Sequence, residues 1–137
     1  MYRLGLSVLL AVGLGACSKA PDTALPPAAQ VTAERLLNAA SEPSQWMTYN
    51  GDYNEQRYSR LAAINTENVS QLGLAWHADF PTNLPVEGSP LYIDGVIYQP
   101  LPWSKVVAYD ARTGKQLWLH DPKVPGEWNI NVCCVID

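Results

Sequence analysis

AYDARTGKQLW, residues 108–118, fits the pattern A-x-D-x-x-x-G-x-x-x-W. Each fixed position has a physical use in a turn between two strands. Ala108 leaves room for a neighbouring ring, Asp110 can cap the turn, and Gly114 can adopt the positive φ that such a turn requires. Trp118 would project from the second strand as a large packing surface. An ordinary hairpin has no reason to hold all four residues at this spacing, so the stretch indicates a specific repeat of a β fold.

Four short strands with tight turns are predicted around this stretch: residues 89–93, 96–99, 105–110 and 115–120. The first two are joined by Asp94-Gly95, a dipeptide typical of two-residue hairpins. A further strand is predicted over residues 72–79 (LGLAWHAD). The chain is therefore predicted to be all-β, with the four strands around the repeat in one antiparallel sheet.

Little helix is predicted. Residues 32–40 (TAERLLNAA) have helical spacing and stop before Pro43, which favours one short helix. Asn65 has the character of an N-cap for a brief helical turn that follows it.

Composition excludes some classes of function. The chain has 137 residues and a formal net charge of -4, which fits one small secreted globular unit. Its 9 Lys and Arg residues are scattered singly, so no basic patch for nucleic acid and no polybasic membrane patch is predicted.

The first 17 residues have the pattern of an export signal. Arg3 precedes an apolar run, LGLSVLLAVGLG, that is too short for an ordinary spanning helix. The run ends in LGAC, residues 14–17, which resembles a bacterial lipobox, so Cys17 is expected to carry lipid; an ordinary cleaved signal with a chance cysteine is the alternative. Ser18 resembles the residue that sorts lipoproteins to the outer membrane, and residues 18–43 are predicted to be a tether with the short helix.

Cys133 and Cys134 are adjacent. A trans peptide holds neighbouring Cα atoms about 3.8 Å apart, below the usual disulfide span of about 4.4 to 6.8 Å, so a bridge between them would close a strained ring. Loop entropy would give this bridge only roughly 1 kcal/mol of stabilisation, so stability is a poor reason for it. From adjacency alone, two reduced or separately packed thiols remain as good an interpretation. Export to an oxidising periplasm favours the bridge.

Residues 46–134 resemble the N-terminal part of the alcohol dehydrogenases that depend on pyrroloquinoline quinone (PQQ), the methanol and ethanol dehydrogenase family. The stretch 108–118 is similar to the tryptophan-docking repeat of their propellers. The other segments that carry the resemblance are Trp46 with Tyr49, RYS at 57–59, Ile64-Asn65 with Asn68-Val69, LAW at 74–76, EGSPL at 87–91, WSKV at 103–106, DPKVPG at 121–126 and Cys133-Cys134. The resemblance implies an eight-bladed β-propeller, of which this chain holds the first blade and the outer strand of the last blade, residues 72–79, which closes the ring.

The resemblance also implies roles for three residues. Cys133 and Cys134 would form the family's vicinal disulfide, which covers one face of the PQQ ring. Glu87 matches the glutamate that hydrogen-bonds the quinone; an exposed loop carboxylate is the alternative. Trp76, Trp103 and Trp118 are expected to pack between blades rather than to contact substrate.

The remaining expectations concern chemistry outside this chain. In the family, Ca²⁺ acts as a Lewis acid and an aspartate takes the alcohol's proton while hydride passes to the quinone. Those groups belong to later blades, so no catalytic or metal-binding residue is assigned here. Cytochrome c or a quinone would accept the electrons. Residues 135–137 depart from the family's usual continuation, which suggests a truncated or frame-shifted product or an incomplete sequence.

Residues 44–137 are thus predicted to be the N-terminal part of a periplasmic, lipid-anchored PQQ enzyme that is inactive as this chain alone. The main alternative is a non-enzymatic, lipid-anchored propeller scaffold similar to outer-membrane assembly lipoproteins. A scaffold would have no use for Cys133-Cys134 or for the segment that begins at Glu87. A short lipoprotein that binds something on its own has no positive support.

Overall fold

The computed structural model describes residues 29–125. Its elements in chain order are helix α1 (Ala33–Leu37), a 3-10 helix (Ala39–Ser41), a second 3-10 helix (Val69–Gln71) and strands β1 (Leu91–Ile93), β2 (Val96–Leu101), β3 (Lys105–Asp110) and β4 (Gln116–His120). None of the helices in this part of the chain has the length and apolar character needed to cross a bilayer. The described chain is dominated by its sheet, as predicted.

The four strands form one antiparallel sheet in the order β1-β2-β3-β4. Asp94 and Gly95 both have positive φ, 50° and 85°, as a two-residue hairpin requires. The register shifts between Ala108 and Tyr109, where β3 pairs with β4. These strands confirm the predicted sheet with shifts of one or two residues at some strand ends.

One face of the sheet is covered by the segment between the second 3-10 helix and β1. Leu101, Val107 and Tyr109 are buried there, with Val107 fully enclosed. Ala78 and Val86 pack against them from the segment between the second 3-10 helix and β1. This cluster is the better-buried half of the core.

The opposite face is covered by the helical segment. Ala39, Met47 and Ile93 form the second buried cluster, and Leu36 of α1 packs against it. The helix begins after Thr32, whose Oγ1 accepts a hydrogen bond from Arg35 N at 3.2 Å. The predicted short helix is therefore confirmed, although its last residues form a 3-10 turn.

Two local predictions need correction. Residues 72–79 form no strand within residues 29–125, because no neighbouring chain there offers them a hydrogen-bonded ladder. The predicted helical turn near Asn65 is present as the 3-10 helix Val69–Gln71, with Asn68 rather than Asn65 at its N-cap. Asn65 lies at the start of the preceding turn, where its Oδ1 accepts a hydrogen bond from Glu67 N at 3.0 Å.

Candidate functional site

The turn between β3 and β4 is built by Asp110. Its Oδ1 accepts hydrogen bonds from Thr113 Oγ1 and Thr113 N, both at 2.8 Å, and from Arg112 N at 3.0 Å. The hydrogen bond from the Thr113 hydroxyl, followed by those from the backbone, holds the pKa of Asp110 below its ordinary value. Gly114 closes the turn with φ of 71°. Asp110 and Gly114 therefore have the roles that the sequence pattern predicts.

Trp76 packs on this turn from outside the sheet. Its indole Nε1 donates to the Ala111 carbonyl at 2.9 Å, and a Cβ added at Gly114 would lie 2.7 Å from the indole ring. The ring centroid of Trp76 lies 6.4 Å from that of Tyr109. The glycine is thus needed for close approach as well as for its positive φ. Trp118 packs differently, with its ring centroid 5.9 Å from that of Tyr98 and 38% of its surface exposed.

The segment that carries Glu87 is fixed to the sheet through its next residue. The backbone of Gly88 lies against the Pro100 ring so closely that a side chain there would collide with it. Gln99 Nε2 donates to the Gly88 carbonyl at 2.7 Å and to the Pro100 carbonyl at 2.9 Å. Glu87 itself is exposed. The sheet therefore fixes the backbone next to Glu87.

Gln99 is a residue that sequence reasoning missed. It is the buried polar side chain of the described core, at 7% exposure, and its amide donates one hydrogen bond to Gly88 and one to Pro100. The available clue was a glutamine between Tyr98 and Pro100 in an otherwise apolar strand. A buried amide requires hydrogen-bond partners, and here they are the Gly88 carbonyl of the Glu87 segment and the Pro100 carbonyl of β2 itself.

An apolar cleft of about 370 Å³ lies beside this segment. Its walls come from the irregular aromatic region, the Glu87 segment and one sheet face: Tyr49, Gly88, Ser89, Leu91, Tyr98, Pro100 and Val106. A second cleft of about 490 Å³ shares Tyr49, Ser89 and Leu91, and Arg57 lines it with its guanidinium 5.2 Å from the Tyr49 ring centroid. Space for a flat apolar group therefore adjoins the fixed backbone.

The other predicted site residues lie outside the described residues. Cys17, Cys133 and Cys134 belong to the parts before residue 29 and after residue 125, so the lipid attachment and the vicinal disulfide stay predictions. Within residues 29–125 no three His, Cys, Asp or Glu side chains are grouped in a way that could hold a metal ion.

Comparison with known proteins covers most of the chain. The sequence profile of the glucose/ethanol/alcohol dehydrogenase β-propeller domain, a PQQ domain, matches residues 46–134. The dehydrogenase subunit of the quinone alcohol dehydrogenase of Komagataeibacter europaeus is 50% identical over 103 residues, which are 75% of this chain and 14% of that protein. The 1-butanol dehydrogenase (cytochrome c) of Thauera butanivorans is 46% identical over 90 residues, 66% of this chain and 13% of that protein.

Among solved structures, a europium-containing methanol dehydrogenase superposes with a TM-score of 0.66 at 31% identity, covering 75% of this chain and 18% of that one. The chain thus spans about a seventh of the length of the first relatives. Sequence profile, identity and fold agree with one another. The chain belongs to the β-propeller family of PQQ-dependent glucose, ethanol and alcohol dehydrogenases.

Proposed function

We propose that this chain is the N-terminal part of a PQQ- and calcium-dependent alcohol dehydrogenase that oxidises primary alcohols. The observation that carries the proposal is the family match over residues 46–134, together with relatives that are named alcohol and 1-butanol dehydrogenases. Those relatives are oxidoreductases, which favours the enzyme over the propeller scaffold.

The described residues fit one edge of a planar cofactor. Glu87 is an exposed carboxylate on a segment whose backbone is held by the Gln99 amide, so binding of the cofactor would not require that backbone to be ordered first. The mostly apolar cleft beside it has walls of Leu91, Pro100 and Val106. PQQ, when bound, supplies the hydride acceptor.

The residues of this chain would bind and orient PQQ rather than take part in the chemical step. Glu87 would accept a hydrogen bond at the ring edge, and a Cys133–Cys134 disulfide would form a rigid wall against one ring face. Ca²⁺ is the proposed metal, with ligands in residues other than those of this chain; the europium-containing neighbour is named for a different ion. Cytochrome c or a quinone is the proposed electron acceptor, following the names of the two relatives.

Export and anchoring complete the proposal. The apolar run before LGAC supports a periplasmic protein held at the membrane, most simply the outer membrane, through lipid on Cys17. Labelling with a fatty-acid analogue should mark the protein, and Cys17→Ser should remove the label.

Dye-linked oxidation of ethanol by the full-length quinoprotein that carries this chain tests the activity. We expect turnover after addition of PQQ and Ca²⁺ and little without PQQ. Glu87→Gln should weaken PQQ binding, measured by equilibrium dialysis, about tenfold, because a hydrogen bond to a charged group contributes roughly 1.5 to 3 kcal/mol. Glu67→Gln, at an exposed carboxylate of the 66–68 turn, is the matched control. Absence of PQQ-dependent turnover in the unmodified protein would overturn the proposal.

A further inference from the structure

The turn between β2 and β3 has an unusual backbone. It consists of Pro102, Trp103 and Ser104, and the last two have φ of 69° and 56°. This is the left-handed region, which disfavours residues with a Cβ and particularly those with bulky side chains. Two successive residues without glycine in that region store strain that the surrounding structure must hold.

The same sheet shows that such a turn can be made without this strain. The β1–β2 turn at the opposite end uses Asp94-Gly95 and reaches positive φ at both positions with a glycine in the second. Turn formation alone therefore does not explain a tryptophan followed by a serine at the β2–β3 turn.

Packing within the described residues does not explain it either. Leu101 and Pro102 are fully buried and fix the base of the turn, whereas Trp103 is half-buried at its tip. Trp76 and Trp118 pack on Tyr109 and Tyr98, but within residues 29–125 the Trp103 indole has no ring contact and its Nε1 has no hydrogen bond. Trp103 thus differs from the other two tryptophans, although the sequence suggested the same packing role for all three.

The position of the turn is the decisive observation. β2 runs antiparallel to β1, so the end of β2 and the start of β1 lie at the same end of the sheet. Gly88 lies against Pro100 and is bonded by Gln99, which places the residues just before β1 beside those just before Trp103. Glu87 and Trp103 therefore project from the same end of the sheet.

We propose that Trp103 is a specificity-determining residue, whose indole forms an apolar wall for the carbon chain of the alcohol beside the cofactor. This inference rests on the proposed function, because it places substrate at the end of the sheet that carries Glu87. A flat, rigid ring buries methylene groups at little cost in side-chain entropy. Each methylene that it covers should raise kcat/KM about fourfold.

The experiment uses the full-length quinoprotein that carries this chain, loaded with PQQ and Ca²⁺. Trp103→Asn relieves strain, because asparagine tolerates positive φ, and it removes the ring. Ser104→Gly relieves strain at the next residue and keeps the ring. Trp103→Phe retains an apolar ring at the same backbone position. For each variant, kcat/KM is measured for ethanol and 1-butanol, and a thermal melt of the protein without substrate is recorded.

We expect both strain-relieving variants to melt at or above the temperature of the unmodified protein. The ratio of kcat/KM for 1-butanol to that for ethanol should fall at least fourfold in Trp103→Asn and stay within twofold in Ser104→Gly and Trp103→Phe. An unchanged or higher ratio in Trp103→Asn would overturn the inference alone. So would a failure of Trp103→Asn to fold while Ser104→Gly remains stable, since the ring would then serve the fold. No oxidation of either alcohol by the unmodified protein would instead overturn the proposed function, and this inference with it.

Discussion

At the scale of single residues, close backbone approach explains two glycines that the sequence marks. Gly114 makes room for the Trp76 indole, and Gly88 makes room for the Pro100 ring. The positive φ of Gly114 was predictable from the repeat, but its contact with Trp76 was not. The requirement at Gly88 was not predictable either, since nothing local announces that Pro100, twelve residues later, packs on its backbone. The sequence accordingly identified Glu87 as a candidate but could not say what holds it.

Gly88→Ala should destabilise the full-length protein by about 1 to 3 kcal/mol, because a Cβ has no space beside a rigid proline ring and the backbone must shift. Gly73→Ala is the matched control, since among residues 29–125 a Cβ at Gly73 would meet nothing within 4 Å. Urea unfolding of both variants measures the difference. Equal stability of the two variants would show that the contact between Gly88 and Pro100 is absent in solution.

At the scale of elements, hairpins were predictable and long-range contacts were not. The residues that stabilise the Asp94-Gly95 and Asp110–Gly114 turns all lie within the turns themselves, so both turns were predictable from the sequence. Residues 72–79 were predicted as the outer strand of the last blade, which closes the ring, but a strand needs a partner and none is present among residues 29–125. In the described chain that segment has no strand partner, and its Trp76 packs on the β3–β4 turn instead.

The clasp between α1 and the β1–β2 hairpin is another contact that the sequence did not reveal. Arg35 makes paired hydrogen bonds of 2.7 to 3.0 Å to Glu42 and to Asp94, and its remaining N–H donates to the Gln30 carbonyl at 3.0 Å. Asp94 lies 59 residues from Arg35. The two carboxylates and the carbonyl together satisfy all five N–H donors of the guanidinium. This clasp therefore fixes the position of α1 relative to the β1–β2 hairpin.

Acid should loosen this clasp. The hydrogen bonds from Arg35 lower the pKa of Glu42 below 4.5 and that of Asp94 below 3.8. Because the folded values are the lower ones, the stabilisation is complete above those ordinary values and is lost as the pH falls through the folded pKa values. Amide exchange of residues 30–42, corrected for intrinsic rates, should therefore accelerate below about pH 4.

Arg35→Gln should show fast exchange of these amides already at neutral pH, with a much weaker acid dependence. Arg60→Gln, which loses only a 3.5 Å ion pair to Asp52, is the control and should behave like the unmodified protein. Identical exchange in Arg35→Gln and the unmodified protein at pH 7 would show that the clasp does not hold the helix.

At the scale of the whole molecule, the described residues form one blade of a propeller rather than a closed core. Leu72, Leu74 and Leu119 are 60%, 82% and 40% exposed, and Trp118 also remains partly open. The edge of β1 is partly covered, because Trp46 and Tyr92 exchange two backbone hydrogen bonds at 2.8 and 3.0 Å. β4 is paired only with β3 among the described strands. Neighbouring blades would bury these side chains.

Residues 18–137, purified alone, should neither unfold cooperatively nor oxidise alcohols. Each exposed large apolar side chain forgoes about 2 kcal/mol of burial, and a few such losses are comparable with the roughly 5 to 15 kcal/mol that stabilise a whole domain. Repeat folds generally need about three units before the interfaces outweigh the entropy of ordering. Without later blades, PQQ would also meet only the groups of this chain, on one side. A thermal melt and dye-linked ethanol oxidation, both with PQQ and Ca²⁺ present, test this against the full-length quinoprotein as control. A sharp melt with ethanol-dependent turnover would mean that one blade carries its own core and its own active site, contrary to the interblade packing inferred from its exposed leucines.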